Sequence, residues 1–290
     1  PPYWVDTPET RAELVKVYAE ISNLDALVGG IRNELESRGQ WENTLFIVCS
    51  EQGLQLPFAK WTCYDNGLHT GLVAHWPGNT KPGSVVSELV SLSDITPTLV
   101  AVAGGTLEEG ACDGRSFLPM LRGEEQVLHD TVLGAFTNCN IIGNRDRIFP
   151  IRVIRDKAFS LIYNPNHASV TSNLTLDHAR AMLQDPKLGS KDLASSWVAQ
   201  ARKKSGAAAL VHKLHHRPEY ELYHLDSDPY ELTNVIDQPQ YAETLERLKR
   251  ELHTQLVELG DVDPVATETG LVAGRKKKSP KGGAKKRFTK

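Results

Sequence analysis

Between Leu14 and Leu35 the apolar positions Leu14, Val17, Ile21, Leu24, Val28, Ile31 and Leu35 recur at steps of three and four, the spacing of one face of a helix. Asp6-Thr7-Pro8-Glu9 reads as its start: a capping side chain, a proline near the first helical position and Glu9 placed to bond back to the cap. Gly39 marks its end. The period then changes. Thr44 to Cys49 is short, continuously apolar and rich in β-formers, the pattern of a strand covered on both faces as in a parallel sheet flanked by helices, and Gly71 to Trp76 repeats it. Ser93-Asp94-Ile95-Thr96-Pro97 is expected to cap another helix that runs to Gly104-Gly105. Helices interleaved with buried strands predict an α/β domain over residues 1–127.

From about residue 128 the pattern predicts a smaller antiparallel sheet. Its strands are expected at Thr131 to Phe136, Arg152 to Arg155, Phe159 to Tyr163 and Tyr220 to Leu225. A closing helix, about Gln240 to Leu259, sets Leu245, Leu248, Leu252 and Leu256 on one face and ends at Gly260. Residues 165–216 read as a polar, mostly helical insertion in this second unit, which extends over 128–262. No internal repeat is visible.

Composition narrows the class. A chain of 290 residues with 40% hydrophobic content is long enough for a substantial core. No window has the apolar length of a membrane helix, and the start, Pro1-Pro2-Tyr3-Trp4, has neither a basic nor an apolar leader region, so the chain reads as a fragment or a processed form. The net charge of −3 hides an asymmetry: residues 275–290 hold nine of the 33 basic residues and no acid, leaving 24 basic against 36 acidic residues elsewhere. The stretch 263–290 is expected to be a disordered basic tail, either simply solvated or a tether to an anionic polymer or surface. The cysteines, Cys49, Cys63, Cys112 and Cys139, lie too far apart to suggest a metal or redox pair.

In α/β sheets ligands gather beyond the carboxyl ends of strands, and Ser50-Glu51-Gln52-Gly53 falls there. A carboxylate and a carboxamide in sequence offer two oxygen ligands to a hard cation such as calcium, and the glycine lets the backbone turn tightly. Lys60, in the loop that follows, could neutralise the oxygens of a phosphate or sulfate ester. Taken alone each feature also has a plain solvated reading. The cluster His212, His215 and His216 is flanked by Lys213 and Arg217, which argue against a metal site and for a solvated helix face or a sugar-facing patch.

Taken together, Ser50-Glu51-Gln52-Gly53, Lys60, Tyr64-Asp65-Asn66-Gly67 and His75-Trp76-Pro77-Gly78 resemble the type I sulfatases of the alkaline phosphatase superfamily. The opening Pro1-Pro2 with Asp6-Thr7-Pro8-Glu9-Thr10-Arg11, and Ser91 to Thr98, are similar to the sulfamidase (heparan N-sulfatase) branch. Asp113 to Pro119 and Tyr220 to Asn234 resemble the family's later landmarks. The resemblance implies a fold with a large mixed or parallel sheet flanked by helices plus a smaller antiparallel sheet, and hydrolysis of a sulfuric ester or sulfamate on sulfated carbohydrate. It places Glu51 and Gln52 as calcium ligands, Lys60 on the sulfate and His69 at the substrate, where many relatives carry arginine. Glu51 stands where the family has Asp, and Gln52 where it has Asn or His. The family's formylglycine nucleophile comes from Cys-x-(Pro/Ala)-x-Arg, a motif these 290 residues do not contain, and its first pair of metal-binding aspartates is also missing, so the chain alone is expected to be inactive. A periplasmic or secreted location and no nucleic-acid partner are implied. A non-catalytic relative that binds sulfated glycans, or a phosphoesterase of the same superfamily, are the alternatives.

Overall fold

A computed structural model of the chain describes residues 1–137 and 148–270. Cys139 and the Lys/Arg-rich stretch 275–290 lie outside the described residues. The first helix, α1 (Pro8–Ser37), begins where the sequence predicts. Its cap is Thr7, whose hydroxyl accepts the backbone N–H of Thr10 at 3.1 Å. Glu9 does not close the capping box: the third helical position is Thr10, and its hydroxyl bonds instead to Val5 O at 2.8 Å. Thirty residues make a rod about 45 Å long. Only its ends are held. Near the start, Thr7 Oγ1 meets Ser196 Oγ at 2.8 Å and Trp197 Nε1 donates to Thr10 Oγ1 at 2.8 Å. Near the other end Arg32 lies over the Trp41 ring, 5.3 Å from its centroid.

Beyond Leu14, which packs against the core, much of the predicted apolar stripe is uncovered by the described residues: Ile21, Leu24 and Ile31 are exposed, as are Val15, Tyr18 and Leu27 on neighbouring positions. Periodicity shows that a helix has an apolar face; it does not say what lies against it. Strand β1 (Phe46–Cys49) and strand β2 (Leu72–His75) differ from expectation in the same way. They pair antiparallel, Phe46 opposite His75 and Cys49 opposite Leu72, and the strands are half-buried, with Val73 67% exposed. No parallel pairing occurs among the described residues. An apolar run of four to six residues reports the demand for burial, not the direction of its neighbour. Trp41 ties this ribbon to α1 by stacking on His75 at 4.9 Å and packing on Phe46 at 5.4 Å.

After β2 come α3 (Ile95–Val102) and α4 (Leu118–Leu121) around a small core of Phe117, Met120 and Leu128. The cap of the α3 segment is Ser91 rather than the predicted Ser93: a 3-10 turn over Leu92–Asp94 precedes the helix, and Asp94 Oδ2 accepts the Ser91 N–H at 2.7 Å.

The second sheet is the expected antiparallel one: β3 (Val132–Phe136), β4 (Ile151–Arg155), β5 (Phe159–Tyr163) and β6 (Tyr220–His224), hydrogen-bonded in that order. Alternate residues point to opposite faces of a strand, so each strand feeds two cores. Ile154, Leu161 and Leu222 meet Leu248, Leu252 and Leu256 of α8 (Ala242–Glu258). Ile151, Val153, Ile162 and Tyr223 face the other way, onto Trp4, Phe58, Tyr64 and the helices α5 (Asp177–Gln184), α6 (Leu193–Ala201) and α7 (Ser205–His215). The segment 165–216 packs into this core, with Trp197 completely buried at its centre. Residues 264–270, expected in the disordered tail, are helical.

The exposed apolar residues on α1 offer surface for association. The 290-residue chain is expected to self-associate and to bind a hydrophobic dye strongly, and replacing Ile21, Leu24 and Ile31 with Lys should make it monodisperse without lowering the melting temperature. A monodisperse parent chain that leaves the dye dark would contradict this.

Candidate functional site

The loop 50–71 between β1 and β2 carries the predicted site. Its mouth is clamped twice: Ser50 N donates to Gly71 O at 2.9 Å and Gly71 N donates to Ser50 Oγ at 2.8 Å. Inside, two glycines allow the backbone to fold upon itself. Gly53, at φ +38°, would drive a Cβ to within 2.6 Å of Asn66 O and 2.9 Å of both Gly67 Cα and Lys60 N. Gly67 in turn would meet Ala59 O at 2.5 Å and Thr62 Oγ1 at 2.7 Å. Only residues without side chains fit there. The turn after β1, the Lys60 segment and the short helix α2 (Asp65–Leu68) are thus held against one another at backbone contact distance.

That packing brings Glu51 and Lys60 together, with Nζ 2.7 Å from Oε2. The carboxylate is 71% exposed and the ammonium 21%. A pair so open to water is worth about 0–1 kcal/mol, so Lys60 is readily redirected to another anion. Gln52 is exposed beside them. As a cation site these residues are incomplete: calcium takes six to eight oxygen ligands, the predicted pair offers two side chains, and no group of three His, Cys, Asp or Glu gathers among the described residues. The described residues therefore do not form a calcium site by themselves.

His69 follows α2 and is mostly exposed, with Nδ1 3.4 Å from Asp65 Oδ2. This hydrogen bond raises the His69 pKa. Burial pushes the Asp65 carboxyl up, but His69 and Arg155 outweigh it and the pKa falls; Arg155 Nη1 donates to Asp65 Oδ1 from β4. Cys63 lies in the same loop but is no nucleophile, because burial lifts its thiol to about 12.

Sequence reasoning missed the groups that hold this loop in place. Tyr64, 3% exposed, donates its hydroxyl to Glu221 Oε2 at 2.9 Å, and the same carboxylate accepts from Tyr223 and, at Oε1, from Asn164 Nδ2 at 3.0 Å. Lys213 and Arg217 lie over the Tyr64 ring, 4.9 and 5.1 Å from its centroid. The histidines of that segment form no metal cluster: His212 and His216 stack at 4.9 Å, and His215 is buried with Nδ1 3.0 Å from Thr171 O. Glu231, at φ +51° and 2% exposed, accepts the backbone N–H of Asp65 at 2.6 Å. An acid inside the apolar strand Tyr220-Glu221-Leu222-Tyr223 was the available signal for Glu221; nothing local marks Glu231.

The mixed α/β scaffold that carries this loop is shared by solved structures, among them a putative sulfatase from Bacteroides thetaiotaomicron at a TM-score of 0.51 and 17% identity, over 76% of this chain and 37% of that one. Residues 5–105 match the sulfatase family model, and the chain belongs to the sulfatase family. An ulvan-active sulfatase of Formosa agariphila is 33% identical over 221 residues, 76% of this chain and 39% of the relative. Human N-sulphoglucosamine sulphohydrolase is 28% identical over 263 residues, 87% of this chain and 49% of the relative. A solved complex with the substrate D-glucosamine-2-N,6-O-disulfate matches at a TM-score of 0.55 and 19% identity, over 81% of this chain and 38% of that one. The chain spans less than half the length of each. No helix among the described residues is long and apolar enough to cross a membrane.

Burial raises the Glu231 carboxyl from an ordinary 4.5 to about 7. The folded state then holds a proton that the unfolded chain has released, so the contribution of Glu231 to stability is greatest below about pH 4.5 and falls as pH rises towards 7, by up to about 1.4 kcal/mol per unit. Glu231→Gln should flatten that part of the melting-temperature profile. A slope unchanged by the replacement would contradict the assignment.

Proposed function

We propose that this chain is the C-terminal part of a sulfatase that hydrolyses a sulfuric ester or sulfamate on a sulfated carbohydrate, as its relatives' names suggest. The observation that carries this reading is the Lys60 ammonium 2.7 Å from Glu51, at the strand end and within the segment matched to the family. In the full-length protein, Glu51 and Gln52 would supply two oxygen ligands to a calcium ion, the others coming from residues not among these. The family is generally metal-dependent, and a bound divalent cation would withdraw charge from ester oxygens.

The chain's own residues have separable tasks. Lys60 leaves its weak pair with Glu51 and binds an oxygen of the sulfate, offsetting charge that grows as the ester bond breaks; such a donor contributes more in the transition state than in substrate binding. His69, raised towards its charged form by Asp65, faces solvent and offers a donor to a substrate hydroxyl or sulfate. Asp65 orients His69 and is itself held by Arg155. The nucleophile is not among these groups. The location implied by the family, periplasmic or secreted, belongs to the same proposal.

The 290-residue chain alone is expected to show no turnover of an aryl sulfate or of sulfated oligosaccharides. In the full-length protein, Lys60→Ala should lower kcat about 10²- to 10³-fold and leave calcium affinity nearly intact. Glu51→Ala should lower both together. Calorimetric calcium titration beside kinetics separates the two, and a Glu51→Ala protein that binds calcium as tightly as its parent would refute the metal assignment.

A further inference from the structure

Three histidines close α7, and the fold separates them. His215 turns inward and is fully buried, donating from Nδ1 to Thr171 O at 3.0 Å while its own carbonyl accepts the Thr171 N–H at 2.8 Å. His212 and His216 stay outside, and both are exposed. They stand one helical turn apart, and the His216 N–H donates to His212 O at 2.8 Å, so the backbone of that turn sets their separation. The two rings lie with centroids 4.9 Å apart and planes 28° from parallel.

Lys213 and Arg217 flank this pair in sequence, and positive charges beside it would repel a cation. Packing turns both away. Lys213 donates to Glu231 O and lies 4.9 and 4.6 Å over the rings of Tyr64 and Tyr223, on the buried side of the segment. Arg217, 4% exposed, lies 5.1 Å over the Tyr64 ring. What remains on the solvent side is a pair of imidazoles at the C-terminal end of a helix that closes at His215, where the partial negative charge of the last carbonyls favours a cation.

Histidines at i and i+4 on one helix face are a recurrent pair of zinc ligands. With each nitrogen about 2.0–2.1 Å from the ion and the ring centre roughly 1.1 Å further back, two imidazoles at a tetrahedral angle have centres about 5 Å apart. His212 and His216 already stand at that separation. Bringing a nitrogen of each onto one point takes rotation about χ2, a torsion with a broad range in histidine, in side chains open to water.

We propose that His212 and His216 chelate one borderline divalent transition-metal ion, zinc or copper, at the C-terminal turn of α7. Imidazole nitrogen suits these ions, whereas calcium takes oxygen, so the site differs in kind from the one proposed at Glu51 and Gln52. No group of three His, Cys, Asp or Glu gathers among the described residues; water fills the remaining positions and the ion stays exchangeable. Once bound, it ties together the turn from which Lys213 and Arg217 reach Tyr64.

The test is calorimetric titration of the untagged 290-residue chain with copper(II) and zinc(II), in a Cys49→Ser background that removes an exposed thiol. One ion should bind per chain, copper more tightly than zinc. Because the second imidazole acts at high effective concentration once the first has bound, losing either should weaken copper binding about 10²-fold. His212→Ala and His216→Ala should therefore behave alike, and the resonance of bound copper should show two nitrogens in the parent and one in either variant. Should an alanine lower the melting temperature, His212→Gln, which leaves the helix cap untouched, should give the same loss without that change. His253→Ala, which removes a lone exposed histidine of α8, should have no effect, and calcium at about 10 mM should not displace the copper. No saturation below about 1 mM copper, binding indifferent to both replacements, or a loss on replacing only one of the two overturns the site.

Discussion

The buried carboxylate of Glu221 is the constraint on which the position of the site loop depends. It is 1% exposed in the middle of β6 and accepts from Tyr64, Tyr223 and Asn164. An isolated ionised carboxylate there would cost several kcal/mol; satisfied on all sides it becomes a rigid fixing point. Of its three donors only Tyr64 belongs to the site loop. Phe58 packs edge-on to that tyrosine at 5.7 Å, and Lys213 and Arg217 cover its ring. Next in sequence, Asp65 hands its backbone N–H to Glu231 and its carboxylate to Arg155. The loop whose chemistry lies at Glu51 and Lys60 is thus anchored from below by the antiparallel sheet and the segments flanking it, some 90 to 166 residues further along the chain.

This arrangement explains how a site assembled from short-range contacts obtains its orientation. Gly53 and Gly67 bring Glu51, Lys60 and α2 into backbone contact, which fixes their mutual spacing. They say nothing about where the cluster points. That is set by Tyr64 and Asp65, and through them by β4, β6 and the turn at Glu231. Where charged groups must surround a reacting ester, a displacement of about 1 Å costs catalysis dearly, so a stiff buried anchor serves the proposed chemistry better than a surface one. The weak, water-exposed Glu51–Lys60 pair supplies the opposite property: charges already close together, with little holding them to each other.

Much of this was legible in the residues. The four strands of the second sheet and the stripe on α8 follow from alternation and heptad-like spacing because their partners lie in the same chain, so pattern and packing coincide. That β1 ends at Cys49 and gives way to a tightly turned loop could be read from the apolar run and the glycine after Gln52. What failed to show was anything decided by a remote neighbour. The stripe on α1 predicts an apolar face but not its cover, and the apolar run of β1 does not disclose that β2 pairs with it antiparallel. Lys213 and Arg217 look like solvated charges in a histidine-rich stretch, yet both serve the underside of Tyr64. Glu231 was invisible because its left-handed backbone and its bond to Asp65 depend on a residue 166 positions away.

The central claim, that the site loop is pinned to the sheet through Tyr64 and Glu221, is tested most directly by a double-mutant cycle with Tyr64→Phe and Glu221→Gln, read by denaturant unfolding of the full-length protein. Residues that share a buried hydrogen bond should couple by about 1–3 kcal/mol, so the double variant should be less destabilised than the sum of the single ones. Additivity within about 0.3–0.5 kcal/mol would mean that the two groups act independently and that the loop takes its position from elsewhere.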